Sequence, residues 1–184
     1  NAASVIPTFH DRLKIALSGL QSEWEVIYVD DGSTDRSHLI LQQLRAESLK
    51  VGVARFSRNF GKEEAMSAGL RLATGDAAVI IDSDLQDPPE LIPEMIEAWL
   101  GGADIVNMRR RHRSGESWLK KVTAHAFYRV INRLSDVPVP ADVGDFRLLS
   151  RRAINALNLL EERNRFMKGL FAWIGYKHVT LDYN

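Results

Sequence analysis

Residues 77–90 read Ala77-Ala78-Val79-Ile80-Ile81-Asp82-Ser83-Asp84-Leu85-Gln86-Asp87-Pro88-Pro89-Glu90. The first five are a short apolar run ending in branched side chains. Bounded by turn formers, such a run reads as a strand buried on both faces. Acidic residues follow at once. Pro88-Pro89 then opens a helix, because proline at the first helical positions sacrifices no needed hydrogen bond. That helix is expected to reach about Leu100 and stop at Gly101-Gly102.

The same rhythm extends in both directions. Val5, Phe9, Leu13 and Leu17 recur at i+4 and predict a helix. A strand follows from Trp24 to Val29, a turn from Asp30 to Asp35, and a helix containing Leu39 and Leu44. Val51 to Phe56 is a second strand and Glu63 to Ala73 a further helix. Downstream, Asp104 to Met108 and Phe146 to Leu149 read as strands, with a helix through Leu157. A helix is expected from Ser117 to Leu134, another from Arg165 to Trp173, and a last strand from Val179 to Tyr183. Strands alternating with helices make an α/β protein with a mainly parallel sheet flanked by helices. In such sheets ligands bind beyond the carboxyl ends of the strands. The Asp30 and Asp82 turns fall on that edge.

Composition narrows the function. The 184 residues suit a single domain. Lys plus Arg and Asp plus Glu both number 24, so no bulk positive field exists to hold nucleic acid. No cysteine is present, which excludes disulfides and thiolate metal sites. No run approaches the roughly 20 apolar residues that span a bilayer.

Three features carry chemistry. If the backbone stays extended past Ile81, Asp82 and Asp84 point the same way. Two hard carboxylates at a sheet edge suit Mg²⁺ or Mn²⁺, with positions left for phosphate oxygens. Gln86 is next in that series. Taken alone, the same residues are explained by a solvated turn with Asp87 capping the Pro88 helix. The second feature is Asp30-Asp31-Gly32-Ser33-Thr34-Asp35. Gly32 permits a tight turn and Ser33 or Thr34 can cap the next helix. Its carboxylates can accept from a nucleotide base or ribose, or simply close the turn. The third is Arg109-Arg110-Arg111-His112-Arg113 with Lys120 and Lys121. It reads either as a solvated mobile loop or as a clamp for phosphates or anionic headgroups. Trp118, Phe127, Tyr128, Phe166, Phe171 and Trp173 read as packing rather than as sugar platforms.

The two acidic turns together resemble the family 2 glycosyltransferases of the GT-A fold. Arg58-Asn59-Phe60-Gly61-Lys62 lies between them at a fitting distance. Gly144-Asp145-Phe146-Arg147-Leu148-Leu149 is similar to the branch containing dolichol-phosphate mannose synthase and bacterial polyprenyl-phosphate glucosyltransferases. The resemblance implies that Asp30, Asp31, Gly61 and Lys62 contact the nucleotide-sugar. It implies that Asp82, Asp84 and Gln86 hold Mg²⁺ or Mn²⁺ on the donor diphosphate, and that Arg147 meets an acceptor phosphate. It further implies inverting transfer of one sugar, from a UDP- or GDP-linked donor to a polyprenyl phosphate. That would occur at the cytoplasmic face of a membrane, for cell-envelope glycan modification, with room for a homo-oligomer. A hydroxyl acceptor would make Asp145 the first candidate base. A non-catalytic nucleotide-sugar binding module is the other alternative.

The resemblance also implies two segments not in this chain. The family begins with a strand ending in a Pro-x-Tyr-Asn-Glu type motif. Val5 to Phe9 does not supply it, since the i+4 pattern runs through it and only about 16 residues precede the next strand. The first strand is therefore expected before residue 1. A membrane region is expected beyond Asn184. Residues 1–184 then form one catalytic-domain fragment.

Overall fold

The computed structural model describes residues 2–111, 144–160 and 166–183. The order is α1 (Ile6–Ser18), β1 (Val26–Asp30), α2 (Ser37–Glu47), β2 (Val51–Arg55), α3 (Lys62–Leu72) and β3 (Ala77–Ile80). A 3-10 turn (Pro89–Leu91) leads into α4 (Ile92–Leu100) and β4 (Ile105–Arg110). Then come β5 (Arg147–Ser150), α5 (Arg151–Leu159), α6 (Met167–Trp173) and β6 (His178–Tyr183). The helix expected at residues 117–134, with Lys120, Lys121, Trp118, Phe127 and Tyr128, lies outside the described residues, as do His112 and Arg113.

The local sequence accounts for the helix ends. Pro7 sits in the first turn of α1. Helix α3 carries Glu63 and Glu64 in its first turn and Arg71 in its last, matching the helix dipole. Ser150 caps α5 by accepting from Ala153 N. Gly102, at φ 92°, turns the chain after α4.

Strands β1 and β2 pair in parallel. The other four pair in the order β3-β5-β4-β6. β5 is antiparallel to both neighbours, while β4 and β6 are parallel. Lys62, which opens α3, meets Asp82 just past β3, and Asp31 just past β1 accepts from Gly61 N. The carboxyl ends of β1 and β3 therefore share one edge. Among the described strands only β5 runs against the rest, so the direction is mainly parallel as expected. One side chain in two faces each side of the sheet. Val106 and Leu148 pack with Phe9, Leu13 and Met95, while Ile105 and Leu149 pack with Ile154, Leu157 and Phe171. Helices cover both faces, giving three layers.

The sheet is interrupted. β1 and β3 face each other across a slot of about 670 Å³, walled by α1, α3 and α4. Here the reading of β3 needs correction. Its four apolar residues are only half-buried, because one edge looks into the slot.

Gly32 is required by geometry. Its φ is 68°, and an added Cβ would stand 2.4 Å from the Arg58 carbonyl carbon and 2.7 Å from Asn59 N. Left-handed backbone costs a substituted residue about 1–2 kcal/mol, and crowding adds about 1–3 kcal/mol. Gly32→Ala is expected to lower unfolding free energy by about 2–5 kcal/mol in denaturant melts. A loss below about 0.5 kcal/mol, the level of an ordinary surface change, would mean that the turn relaxes freely.

Candidate active site

β1 ends in Asp30, a carboxylate only 4% exposed. Its Oδ1 accepts from Ser33 N at 2.8 Å, which closes the turn that Gly32 makes. Arg55 Nε stands 3.4 Å from Oδ2 as an ion pair without hydrogen-bond alignment. Asp31 accepts from Phe60 N at 2.7 Å and from Gly61 N at 2.9 Å. The Asp30 turn and the 58–62 segment are thus one unit. The start of α2 is met by Asp35, which accepts from Ser37 N. Its N-cap residue, Arg36, makes no side-chain capping bond.

Lys62 is the junction. Its Nζ lies 2.5 Å from Asp82 Oδ2 and 2.7 Å from Asp145 Oδ2. Lys168 Nζ on α6 approaches Asp145 Oδ1 at 3.7 Å. Burial opposes charge on Lys62, but the bonds to Asp145 and Asp82 outweigh it and raise its pKa. Burial likewise opposes ionisation of Asp145, but Lys62, Lys168 and Arg147 outweigh that and hold its carboxyl below 3.8. A lowered acid stabilises the fold above its unfolded pKa and loses that contribution as pH falls through its folded pKa. Stability carried by Asp145 is therefore complete above about pH 4 and declines below it. Asp145→Asn is expected to flatten that part of the acid limb in urea melts across pH 2–6. An unchanged acid limb would contradict the pairing.

The acidic turn departs from the sequence reading. β3 ends at Ile80, Ser83 and Asp84 form a turn, and Leu85 has φ 64°. The extended backbone that would align Asp82 with Asp84 is absent. Asp84 and Gln86 are exposed, and Asp84 Oδ1 accepts from Gln86 N at 2.9 Å. Asp87 does not cap the next helix, which has no side-chain cap. It accepts instead from Tyr183 Oη at 2.7 Å, with Arg110 at 3.3 Å. Burial raises its carboxyl despite both partners. Arg110 also donates to the Gln86 carbonyl, so β4 and β6 brace the acidic turn.

No group of three or more His, Asp or Glu suited to a metal occurs among the described residues. The donor set that does occur, Asp82 and Asp84, still fits Mg²⁺ or Mn²⁺. Such ions use one or two carboxylates and leave other positions to phosphate and water. Asp82 already holds a cation, the Lys62 ammonium.

Arg147 is 3% exposed and lies over the Phe171 ring at 4.0 Å. Burial pushes its pKa down to about 10, with Asp145 and Glu63 opposing. One terminal nitrogen donates to Gly144 O at 2.7 Å, while Nε has no partner among the described residues. The basic run is also corrected. Arg109 and Arg110 belong to β4, and Arg109 and Arg111 both pair with Asp182. These three are not a free loop. Of the aromatics read as packing, Phe171 is buried, whereas Phe166 and Trp173 are exposed.

The structure therefore unites Asp30, Asp31, Gly61, Lys62, Asp82 and Asp145 at one edge. A profile for glycosyl transferase family 2 matches residues 1–157. The chain belongs to that family. This family 2 domain is 48% identical over 166 residues to an uncharacterized glycosyltransferase of Synechocystis, covering 90% of the chain and 52% of that protein. It is 42% identical over 183 residues to a prophage bactoprenol glucosyl transferase homolog of Escherichia coli, covering 100% of the chain and 60% of that protein. The chain thus spans little more than half the length of these relatives. A Pyrobaculum calidifontis mannosyltransferase, solved with GDP-Man and Mn²⁺, superposes with TM-score 0.66 at 19% identity, covering 99% of this chain and 52% of that one. Glucosyl-3-phosphoglycerate synthase from Mycobacterium tuberculosis, solved with Mn²⁺, UDP-Glc and phosphoglyceric acid, gives 0.62 at 20% identity, covering 99% and 66%. At these identities the structures speak for the fold, which is GT-A. No described helix of the family 2 domain is long and apolar enough to cross a membrane. Sequence reasoning missed Lys168 and Tyr183 of this domain, and it marked Arg110 only as part of the basic run. Lys168 and Tyr183 reach the site from distant segments, and no local pattern marks them.

Proposed function

We propose that the full-length protein transfers one sugar, with inversion, from a nucleotide-sugar to a polyprenyl phosphate. One observation carries the reading: Lys62 is held between Asp82 and Asp145 at the carboxyl edge. The relatives named bactoprenol glucosyl transferase support the acceptor class. Asp30 and Asp31 shape the nucleotide pocket, with Gly61 and Lys62 along its floor. Asp82, Asp84 and Gln86 would hold Mg²⁺ or Mn²⁺, which when bound offsets the charge developing on the departing diphosphate. Lys62 is free to exchange a carboxylate for a phosphate oxygen. Asp145 is a poor general base, because two lysines keep its pKa low. A phosphate acceptor is already anionic and needs no such base. It needs positive charge, which Arg147 and Lys168 supply beside Asp145. The relevant surface is the cytoplasmic face of a membrane, where a lipid-linked monosaccharide would serve envelope glycan modification.

The test gives full-length protein, in lipid, a panel of UDP- and GDP-sugars with undecaprenyl phosphate and Mg²⁺ or Mn²⁺. A lipid-linked monosaccharide is the expected product. Sugar found only on hydroxyl acceptors would overturn the acceptor, and binding without any product would leave a binding module.

A further inference from the structure

We propose that Tyr183 is a positioning residue that ties the acidic turn at 82–87 to the 144–147 segment, so that one side chain sets the cation ligands against the acceptor-phosphate groups. Strand direction brings it there. β3 and β4 are both antiparallel to β5, and β6 is parallel to β4, so β3, β4 and β6 end on one edge. β5 starts at that edge. Arg110 and Tyr183 are the last register pair of β4 and β6. They share a face, with the Arg110 guanidinium over the Tyr183 ring at 5.5 Å. Both reach over the end of the sheet to the same turn.

The hydroxyl and the ring have different partners. Tyr183 Oη donates to Asp87 Oδ1 at 2.7 Å. Arg110 approaches the same oxygen at 3.3 Å and donates to the Gln86 carbonyl. Asp84 is bonded within the turn, to Gln86 N, so its direction follows from where residues 86 and 87 are held. The edge of the Tyr183 ring meets Phe146, with centroids 6.3 Å apart and planes at 85°. Such an aromatic pair adds directional attraction to burial. Phe146 is 1% exposed, and it stands between Asp145 and Arg147. Its carbonyl accepts from Met108 N, which fixes it to β4.

A tyrosine that only finished β6 would be served as well by water at its hydroxyl. Here the hydroxyl is directed to a half-buried carboxylate 96 residues away. Without that donor, Asp87 keeps the longer contact to Arg110. Groups bonded behind metal ligands orient them, and losing one costs about 10–100-fold in metal affinity. Both roles of Tyr183 rest on the reaction proposed above, which puts the cation at Asp82, Asp84 and Gln86 and the acceptor phosphate at Arg147.

The experiment compares full-length wild type, Tyr183→Phe and Tyr183→Leu. Mn²⁺ affinity is read by electron paramagnetic resonance with UDP or GDP present, apart from any turnover. Tyr183→Phe removes the hydroxyl and keeps the ring. It is expected to bind Mn²⁺ about 10–100-fold more weakly, with a melting midpoint within about 4 °C of wild type. Its transfer rate should return as Mn²⁺ is raised, since the turn is loosened and not lost. Tyr183→Leu removes the ring as well. At saturating Mn²⁺ its KM for undecaprenyl phosphate should rise about 2–10-fold above that of Tyr183→Phe. If Tyr183→Leu fails to fold, Phe146→Leu tests the same ring contact from the other side, with the same rise expected. Unchanged Mn²⁺ affinity in Tyr183→Phe would overturn the hydroxyl's role, as would a loss of affinity that merely tracks loss of the fold. An unchanged acceptor KM in the ring variant would overturn the link to the 144–147 segment. A wild type that binds no Mn²⁺ with either nucleotide would instead overturn the reaction proposed above, and this inference with it.

Discussion

Asp84→Ala in the full-length enzyme is expected to cut transfer by about 10²–10³-fold while leaving the fold intact. The side chain is exposed, and the bond it makes among the described residues is to Gln86 N within its own turn. Losing one such bond costs about 1 kcal/mol. The catalytic cost is larger. A carboxylate that helps hold a divalent ion at the leaving diphosphate supports several kcal/mol of charge stabilisation, and each 1.36 kcal/mol is tenfold in rate. The check is initial rate together with a thermal melt. A variant that keeps full rate would remove Asp84 from the site. A variant that unfolds would give it a structural role instead.

Arg147→Met separates charge from packing. Arg147 is buried, its Nε lacks a partner among the described residues, and its pKa is pushed down to about 10. Replacing a buried charge with an apolar chain of similar size is often neutral or stabilising by about 1–4 kcal/mol. Asp145 keeps Lys62 and Lys168, so no carboxylate is orphaned. Transfer should nevertheless fall about 100-fold, the scale of removing one preorganised charge from a reaction site. Arg147→Lys should restore little of it, since a lysine cannot reproduce the planar stack on Phe171. Parallel loss of stability and rate would reduce Arg147 to a packing residue.

Much of the fold was legible because its signals are local. The i+4 spacing of Phe9, Leu13 and Leu17 gave α1, and those residues are buried. The Gly101-Gly102 stop and the proline start of the 89–100 segment lie where expected. What failed depended on distant partners. The alternative in which Asp87 caps the Pro88 helix follows from Pro88 beside it, whereas its actual partner, Tyr183, lies 96 residues away. Arg109 to Arg111 looked like a repelling run because Asp182 is invisible to a local reading. At the site, the two acidic turns announced themselves by position after strands. Their union through Lys62 required the fold.

That union has a consequence for ligand entry. Lys62 already neutralises part of the charge on Asp82 and Asp145, so the site carries its own internal counter-ion. On the proposed reaction, an incoming cation competes with the Lys62 ammonium for Asp82 and gains less by doing so. An arriving diphosphate would offer that ammonium another partner. Cation and nucleotide would then be synergistic ligands, each tightening the other by the same factor.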